Sequence, residues 1–244
     1  MSDKLYIIIP AYNEKDNIRQ VVTEWYSIAE NYGEDSRLVV IDDGSRDVTY
    51  SILEELSHSM PKLIPLTKPN GGHGSTILYG YNYALENGAD YIFQTDSDGQ
   101  TLPSEFAPFW NSRDKYDMCI GYRSHRRDGL SRVIVTRVLR LVVYLTFHVF
   151  VLDANTPYRL MSADSLKECI KYVPENFFLS NVALTAIFKK RGKKMHFIPI
   201  TFRPRQGGTN SINIKKIFKV GMQSLSDFNK INSDVDASLK DIAN

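Results

Sequence analysis

One regularity constrains this chain more than any other: through its first half, short β-rich runs alternate with longer stretches of helical periodicity. Residues 5–9 precede a segment in which Ile18, Val21, Val22, Trp25 and Ile28 recur at helical spacing. The unit repeats. Residues 38–41 precede Ile52, Leu53 and Leu56; residues 63–66 precede 76–85; residues 91–93 precede 104–110. Strands joined through crossover helices run parallel, and a parallel sheet is covered on both faces. The expected class is therefore α/β with a mostly parallel central sheet, whose ligands bind at the carboxyl ends of the strands. Four polar or glycine-rich loops fall at those ends: Pro10-Ala11-Tyr12-Asn13-Glu14, Asp42-Asp43-Gly44-Ser45, residues 68–74, and Asp96-Ser97-Asp98-Gly99-Gln100. Any one of them alone is unremarkable; together they converge on one sheet edge.

Beyond Tyr122 the pattern changes. Residues 1–122 carry 9 Lys and Arg against 19 Asp and Glu, whereas the remainder carries 21 against 9, so the second half is built to meet anions. Arg123, Arg126, Arg127 and Arg132 form one basic cluster and Arg203 with Arg205 another; guanidinium forks suit phosphate oxygens. Residues 189–194 read instead as the solvated end of a helix stopped at Gly192. No nucleic-acid motif or aromatic interleaving accompanies these charges, which disfavours nucleic acid as a partner. The apolar stretch 133–152 contains an uncharged run, 141–152, far short of the ~20 residues of a transmembrane helix. With Arg132, Arg137 and Arg140 beside it, this stretch reads either as an amphipathic helix on an anionic membrane or as a core helix with solvated arginines. The expected organisation is one domain over 1–231, with a nucleotide-binding half 1–122 and an acceptor half 123–231, followed by a polar, frayed tail 232–244. Cys119 and Cys169 lack CxxC spacing, and no export signal opens the chain. A cytoplasmic location, associated with the inner face of the membrane, is the expectation.

Asp96 and Asp98, at i and i+2 after a strand, can turn toward one hard cation that also takes phosphate oxygens, although Asp, Ser and Gly equally make ordinary turns. Two sharper readings compete. The segment approaches the nucleophile motif of haloacid dehalogenase-type phosphatases, but Gln100 intrudes between Gly99 and Thr101. It also approaches a calcium loop, but Gln94 rather than Asp stands at the first ligand position, Pro103 falls within the loop, and a strand rather than a helix precedes it. Asp42 and Asp43 suit ribose hydroxyls or a base N–H, and Ser45 or Asp47 suits a helix cap. Tyr12 can lie near a base and Glu14 accept further bonds, while Asn13 can act as an N-cap. Residues 70–74, Asn-Gly-Gly-His-Gly, form neither a phosphate-binding P-loop nor a dinucleotide fingerprint, and His73 is given no catalytic role.

In order and spacing, Ile-Pro-Ala-Tyr-Asn-Glu, Val-Ile-Asp-Asp-Gly-Ser, Lys-Pro-Asn-Gly-Gly-His-Gly and Thr-Asp-Ser-Asp-Gly-Gln resemble family 2 glycosyltransferases, nearest their dolichyl-phosphate mannosyltransferase-like, polyprenyl-phosphate glycosyltransferase branch. The resemblance spans residues 4–212. It implies a GT-A fold, a three-layer sandwich; a nucleotide-diphosphate sugar donor; a divalent metal, Mg²⁺ or Mn²⁺; and inversion at the anomeric carbon. The metal motif Asp-x-Asp-x-Gln is matched by Asp96, Asp98 and Gln100, with Asp98 also catalytic. Pro10, Tyr12, Glu14 and Asp43 match nucleotide-holding positions, and Asp42, Asp96 and Ser97 join them as donor contacts. Arg123 and Arg132 match arginines near the diphosphate and the acceptor phosphate, and Arg205 matches the basic segment that closes over the donor. The chain departs from these relatives at residues 153–159, in the acceptor region, and at 208–211, and the hydrophobic C-terminal spans of many relatives are absent. The expected acceptor is a polyprenyl phosphate or a cell-envelope glycan precursor, with peripheral membrane contact. An anionic lipid phosphate needs little base, whereas a hydroxyl acceptor would need a carboxylate, for which Asp153 is the candidate. The rivals are the phosphatase and a non-catalytic nucleotide-binding or membrane-surface protein.

Overall fold

In the computed structural model, residues 3–123, 130–203 and 214–243 are described. The four βα units form as expected: β1 (Leu5–Ala11), α1 (Ile18–Asn31), β2 (Arg37–Asp42), α2 (Thr49–Ser57), β3 (Leu63–Thr67), α3 (His73–Glu86) and β4 (Tyr91–Gln94). The helix expected over 104–110 is shorter. Pro103 and Pro108 break it into a 3-10 turn, Pro103–Glu105, and a single α-turn, α4 (Ala107–Trp110). The second half adds β5 (Met118–Arg123), α5 (Leu130–Phe147), β6 (Arg159–Ser162), α6 (Ala163–Ile170), α7 (Ser180–Lys190), β7 (Met195–Ile200) and α8 (Ile214–Ala243).

All seven strands form one sheet in the order β3-β2-β1-β4-β6-β5-β7. The chain winds outward from β1 through β2 to β3, then returns to place β4 on the other side of β1; both neighbours pair with β1 in parallel. That reversal is the switch point at which open α/β sheets form a crevice. Only β6 runs against its neighbours, antiparallel to β4 and β5, while β5 and β7 are parallel. Because side chains alternate along a strand, fully buried β1 feeds two cores. Tyr6 and Ile8 join Val39, Ile41 and the α3, α7 and α8 side; Leu5, Ile7 and Ile9 join Val40, Phe93 and the α1 side. On the α1 side the Phe93 ring lies 5.2 Å from Trp25 and 4.7 Å from Tyr158, an aromatic cluster immediately beneath the loop that follows β4.

The segment from Asn232 is not a frayed tail. It continues α8, burying Val235 completely, and Lys190 ion-pairs with Asp236 at 2.7 Å while Tyr172 Oη donates to Ser238 Oγ at 2.6 Å. The cationic run 189–194 is the end of α7, stopped at Gly192 as expected, but it is only partly solvated: Lys190 holds α8, and Lys193 pairs with Glu168 at 2.7 Å, while Lys189 and Lys194 are exposed. Sequence polarity hid this because the contacts are ion pairs and hydrogen bonds around one apolar residue per turn. Both cysteines are buried, which pushes each thiol up to about 12, as befits packing residues. Among the described residues no helix is long and apolar enough to cross a membrane. Deleting residues 232–244 is expected to lower the thermal unfolding midpoint by several degrees in a calorimetric scan, whereas removal of a frayed tail would leave it unchanged.

Candidate functional site

Since β2 and β4 flank β1, the loops after these three strands leave the sheet side by side. The first two are stitched together. Asn13 adopts a left-handed backbone, φ 54°, donates its N–H to Ser45 Oγ at 2.8 Å and accepts the Arg46 N–H on Oδ1 at 2.8 Å; the Glu14 N–H reaches Thr49 Oγ1 at 2.9 Å. Asn13 and Ser45 therefore serve each other's loops rather than capping helices. Pro10 stays within β1 opposite Ile41, Tyr12 stands 42% exposed, and Glu14 accepts the Asn17 side-chain amide at 2.7 Å.

The two aspartates that end β2 divide their work. Asp43 Oδ1 accepts from Lys68 Nζ and the Gly71 N–H, and Oδ2 from the Gly72 N–H at 2.8 Å, while its main-chain oxygen accepts Asn70 Nδ2. It thereby organises the whole glycine-rich loop before α3. Burial alone would raise its pKa, but the Lys68 ammonium and the loop amides hold it below the ordinary carboxylate value. Asp42 Oδ2 accepts the Ser45 N–H at 3.1 Å and Thr67 Oγ1 at 3.2 Å, yet Oδ1 is buried with no hydrogen-bond partner. Such an orphaned carboxylate oxygen is costly, and a ligand N–H or O–H would satisfy it.

His73, set aside on sequence grounds, stands at the site. Its Nε2 lies 3.0 Å from Asp96 Oδ1. Desolvation by the surrounding loops lowers the imidazole pKa, but the Asp96 carboxylate more than offsets this and raises it above the ordinary value. Beside His73 the start of α3 packs tightly on α7: a Cβ on Gly74 would collide with the Phe177 carbonyl and reach 2.8 Å from Ser180 Oγ, so the α3 and α7 N-termini meet only because residue 74 is glycine. No spacing rule links position 73 to 96, and only the fold reveals the pair.

After β4, Gly99 turns the chain at φ 69° and Asp98 Oδ1 accepts the Gln100 N–H at 3.1 Å; Ser97 is buried. Gln100 Nε2 donates to the Arg203 carbonyl at 3.1 Å, leaving the amide oxygen on the other side of the same group. Asp153 is 8% exposed and accepts the Asn155 N–H at 3.1 Å. Its loop is gripped by Arg159, a fully buried guanidinium that donates to the carbonyls of Ala154, Thr156 and Asn181 and to Thr185 Oγ1. Burial depresses the Arg159 pKa, and the carboxylates of Asp153 and Asp96 both work against that depression. Arg123 ends β5 and Arg132 lies in the first turn of α5; Arg205, Arg126 and Arg127 lie outside the described residues.

Two carboxylates and an amide oxygen on one short loop are hard donors, the chemistry that Mg²⁺ and Mn²⁺ accept, so the residues present fit such an ion. Among the described residues no group of three or more His, Cys, Asp and Glu side chains is arranged to hold a metal by itself.

The profile of Glycosyl transferase family 2 matches residues 6–160, from β1 to β6 and across all four loops. The chain belongs to this family. It is a glycosyltransferase, which removes the phosphatase reading of Asp96. The UDP-N-acetylglucosamine–dolichyl-phosphate N-acetylglucosaminyltransferase of Methanococcus voltae is 29% identical over 245 positions, covering 89% of this chain and 95% of that protein. The polyprenol monophosphomannose synthase of Mycolicibacterium smegmatis is 24% identical, covering 90% and 86%. Among solved structures, glucosyl-3-phosphoglycerate synthase from Mycobacterium tuberculosis in complex with Mn²⁺, UDP-glucose and phosphoglyceric acid superposes with a TM-score of 0.68 at 15% identity, over 95% of this chain and 80% of that one. The fold of this glycosyltransferase is GT-A, as the resemblance implied.

Asp43→Asn is expected to cost about 3 kcal/mol, because it leaves Lys68 and two amides without their carboxylate. Since the folded pKa is depressed, that difference should be full at neutral pH and shrink as pH falls below about 4, which urea unfolding at several pH values would check.

Proposed function

We propose that this glycosyltransferase moves a sugar from a nucleoside diphosphate, with a divalent cation, onto a polyprenyl phosphate at the membrane surface. The observation that carries the donor half is the loop after β4, where Asp96, Asp98 and the Gln100 amide oxygen make a hard-donor set at the switch point of the sheet. Asp42 is the nucleotide-contacting member of the β2 pair, its orphaned Oδ1 accepting a base N–H or ribose hydroxyl; Asp43 is the loop organiser. Pro10, Tyr12, Glu14 and Ser97 line the donor side, and Arg123, Arg132 and Arg205 supply positive charge for the diphosphate and the acceptor phosphate. Asp96, Asp98 and Gln100 would hold the cation, leaving its remaining positions to phosphate and water; it supplies charge neutralisation for the departing diphosphate. The solved relative binds Mn²⁺ with UDP-glucose, which favours that ion and uridine as first probes.

Both curated relatives described above bear polyprenyl-type acceptors in their names, which supports the same class here. A phosphate oxygen is already anionic, so it attacks the anomeric carbon in line, the bond to the diphosphate oxygen breaks, and no proton needs a base. Asp153, with its loop fixed by Arg159, then braces the acceptor side instead of taking a proton. The α5 stripe supports delivery of a lipid. Val143 and Phe147 face the core, while Val138, Leu141, Tyr144 and Leu145 are exposed, as are Phe150 and Phe178, which is 58% accessible beside the Gly74 contact. Apolar side chains left in water beside exposed Arg137 suit an anionic lipid interface.

In a thermal-shift screen of UDP-, GDP- and dTDP-sugars, a UDP-sugar with Mn²⁺ is expected to raise the midpoint most, because a ligand of the folded state alone stabilises it. Asp98→Ala should abolish the metal-dependent part of that shift and sugar transfer together; near-normal transfer at saturating Mn²⁺ would remove the assignment. A Leu145→Glu, Phe150→Glu variant should lose co-sedimentation with phosphatidylglycerol-containing vesicles while binding UDP as before. Unchanged sedimentation would remove the membrane reading.

A further inference from the structure

Arg203 lies just beyond β7 and is tied to the loop after β4 through both its main chain and its side chain. Its N–H donates to the Gln100 carbonyl at 2.8 Å, and its own carbonyl accepts Gln100 Nε2 at 3.1 Å. Its Nε donates to the Gly99 carbonyl at 3.1 Å and one terminal nitrogen reaches the Thr101 carbonyl at 3.4 Å. The far side of the guanidinium is held by Glu24 on α1, at 2.6 Å and 3.3 Å, in a two-pronged ion pair about three-quarters buried. Glu24 is next to Trp25, which is 1% exposed in the aromatic core, so the anchor is a rigid helix.

We propose that Arg203 is a positioning residue for the cation site: its guanidinium ties the carbonyls of Gly99 and Thr101 to Glu24 on α1, on either side of the Gln100 carbonyl held by its main-chain N–H, and so fixes the loop on which Asp96, Asp98 and the Gln100 amide oxygen sit. The proposal rests on the reading of that loop as the cation-holding one. Three physical points carry it. A loop that turns through a left-handed glycine has no ladder to hold it, and here the guanidinium supplies the missing donors. The exchange between Gln100 and the Arg203 main chain commits Nε2 and leaves Oε1 free to serve as a ligand atom, and the guanidinium bonds hold that main chain against the loop. Glu24 neutralises Arg203, so the clamp acts close to the aspartates without adding net repulsion toward a cation.

Titration calorimetry of the full chain with UDP, in EDTA and again in Mn²⁺, gives the factor by which the metal strengthens binding. Arg203→Ala is expected to cut that factor by about tenfold or more while affinity in EDTA is unchanged. Glu24→Gln, which leaves the carbonyl bonds but uncovers the positive charge, should cut it less. Arg203→Lys keeps the charge pair with Glu24 but cannot reach the Gly99 and Thr101 carbonyls at the same time, so it should fall between wild type and Arg203→Ala, and it carries the test if the alanine variant does not fold. A wild-type factor in Arg203→Ala or Arg203→Lys would overturn the proposal, as would equal loss with and without metal, which marks a general packing role. If wild type itself shows no Mn²⁺ enhancement, the cation reading of the loop fails first, before any variant is compared.

Discussion

Everything at this site depends on β1 having a parallel neighbour on each side. Parallel strands end on one edge of a sheet, and the reversal of winding at β1 opens a crevice there because successive connections depart in opposite directions. The catalytic chemistry of a glycosyltransferase then has a place to sit that is rigid from below. The sheet and the Trp25, Phe93 and Tyr158 cluster form the floor, and the loops need only be held from the sides.

Side support comes from charge as much as from packing. Asp43 gathers an ammonium and two loop amides, the Arg203 guanidinium gathers two loop carbonyls, and Arg159 gathers carbonyls of the loop that follows Asp153. Each is a charged group used to satisfy main-chain groups that no ladder reaches. Asp43 and Arg203 have opposite charges within reach, so their burial is largely compensated. Arg159 is bonded to carbonyls and a hydroxyl, and its positive charge stays in the interior between Asp96 and Asp153. A buried cation of this kind is expensive unless its donors are all satisfied, and here three carbonyls and a hydroxyl satisfy them.

The two halves of the chain also differ in how they are closed. The acidic first half is a set of βα units whose sheet is continued by β6 and whose α3 face is completed by α7; the basic second half needs α8 to cover α5 and α7, with Phe228 edge-on to Phe147 and Phe177. On the other face of α5, Val138, Leu141, Tyr144 and Leu145 stay exposed while Val143 and Phe147 are buried.

By itself the sequence determined the βα alternation, the parallel sheet, the four strand-end loops and the identity of the acids on them, because period-2 and period-3.6 burial are written locally in residues such as Ile7, Ile8, Val21 and Trp25. The motif order was also sufficient to indicate the family. Tertiary structure alone decided that Asp43 serves a loop while Asp42 keeps an unpartnered oxygen, that His73 meets Asp96, that Arg203 meets Gly99, Gln100 and Thr101, and that 232–243 is a packed helix. Those are pairings between residues as much as 104 positions apart. Two adjacent aspartates are identical in sequence terms, and only the direction in which each side chain leaves the strand end distinguishes them. Likewise, a polar segment reads as a tail until the partners of its few charges and its one buried valine are brought alongside.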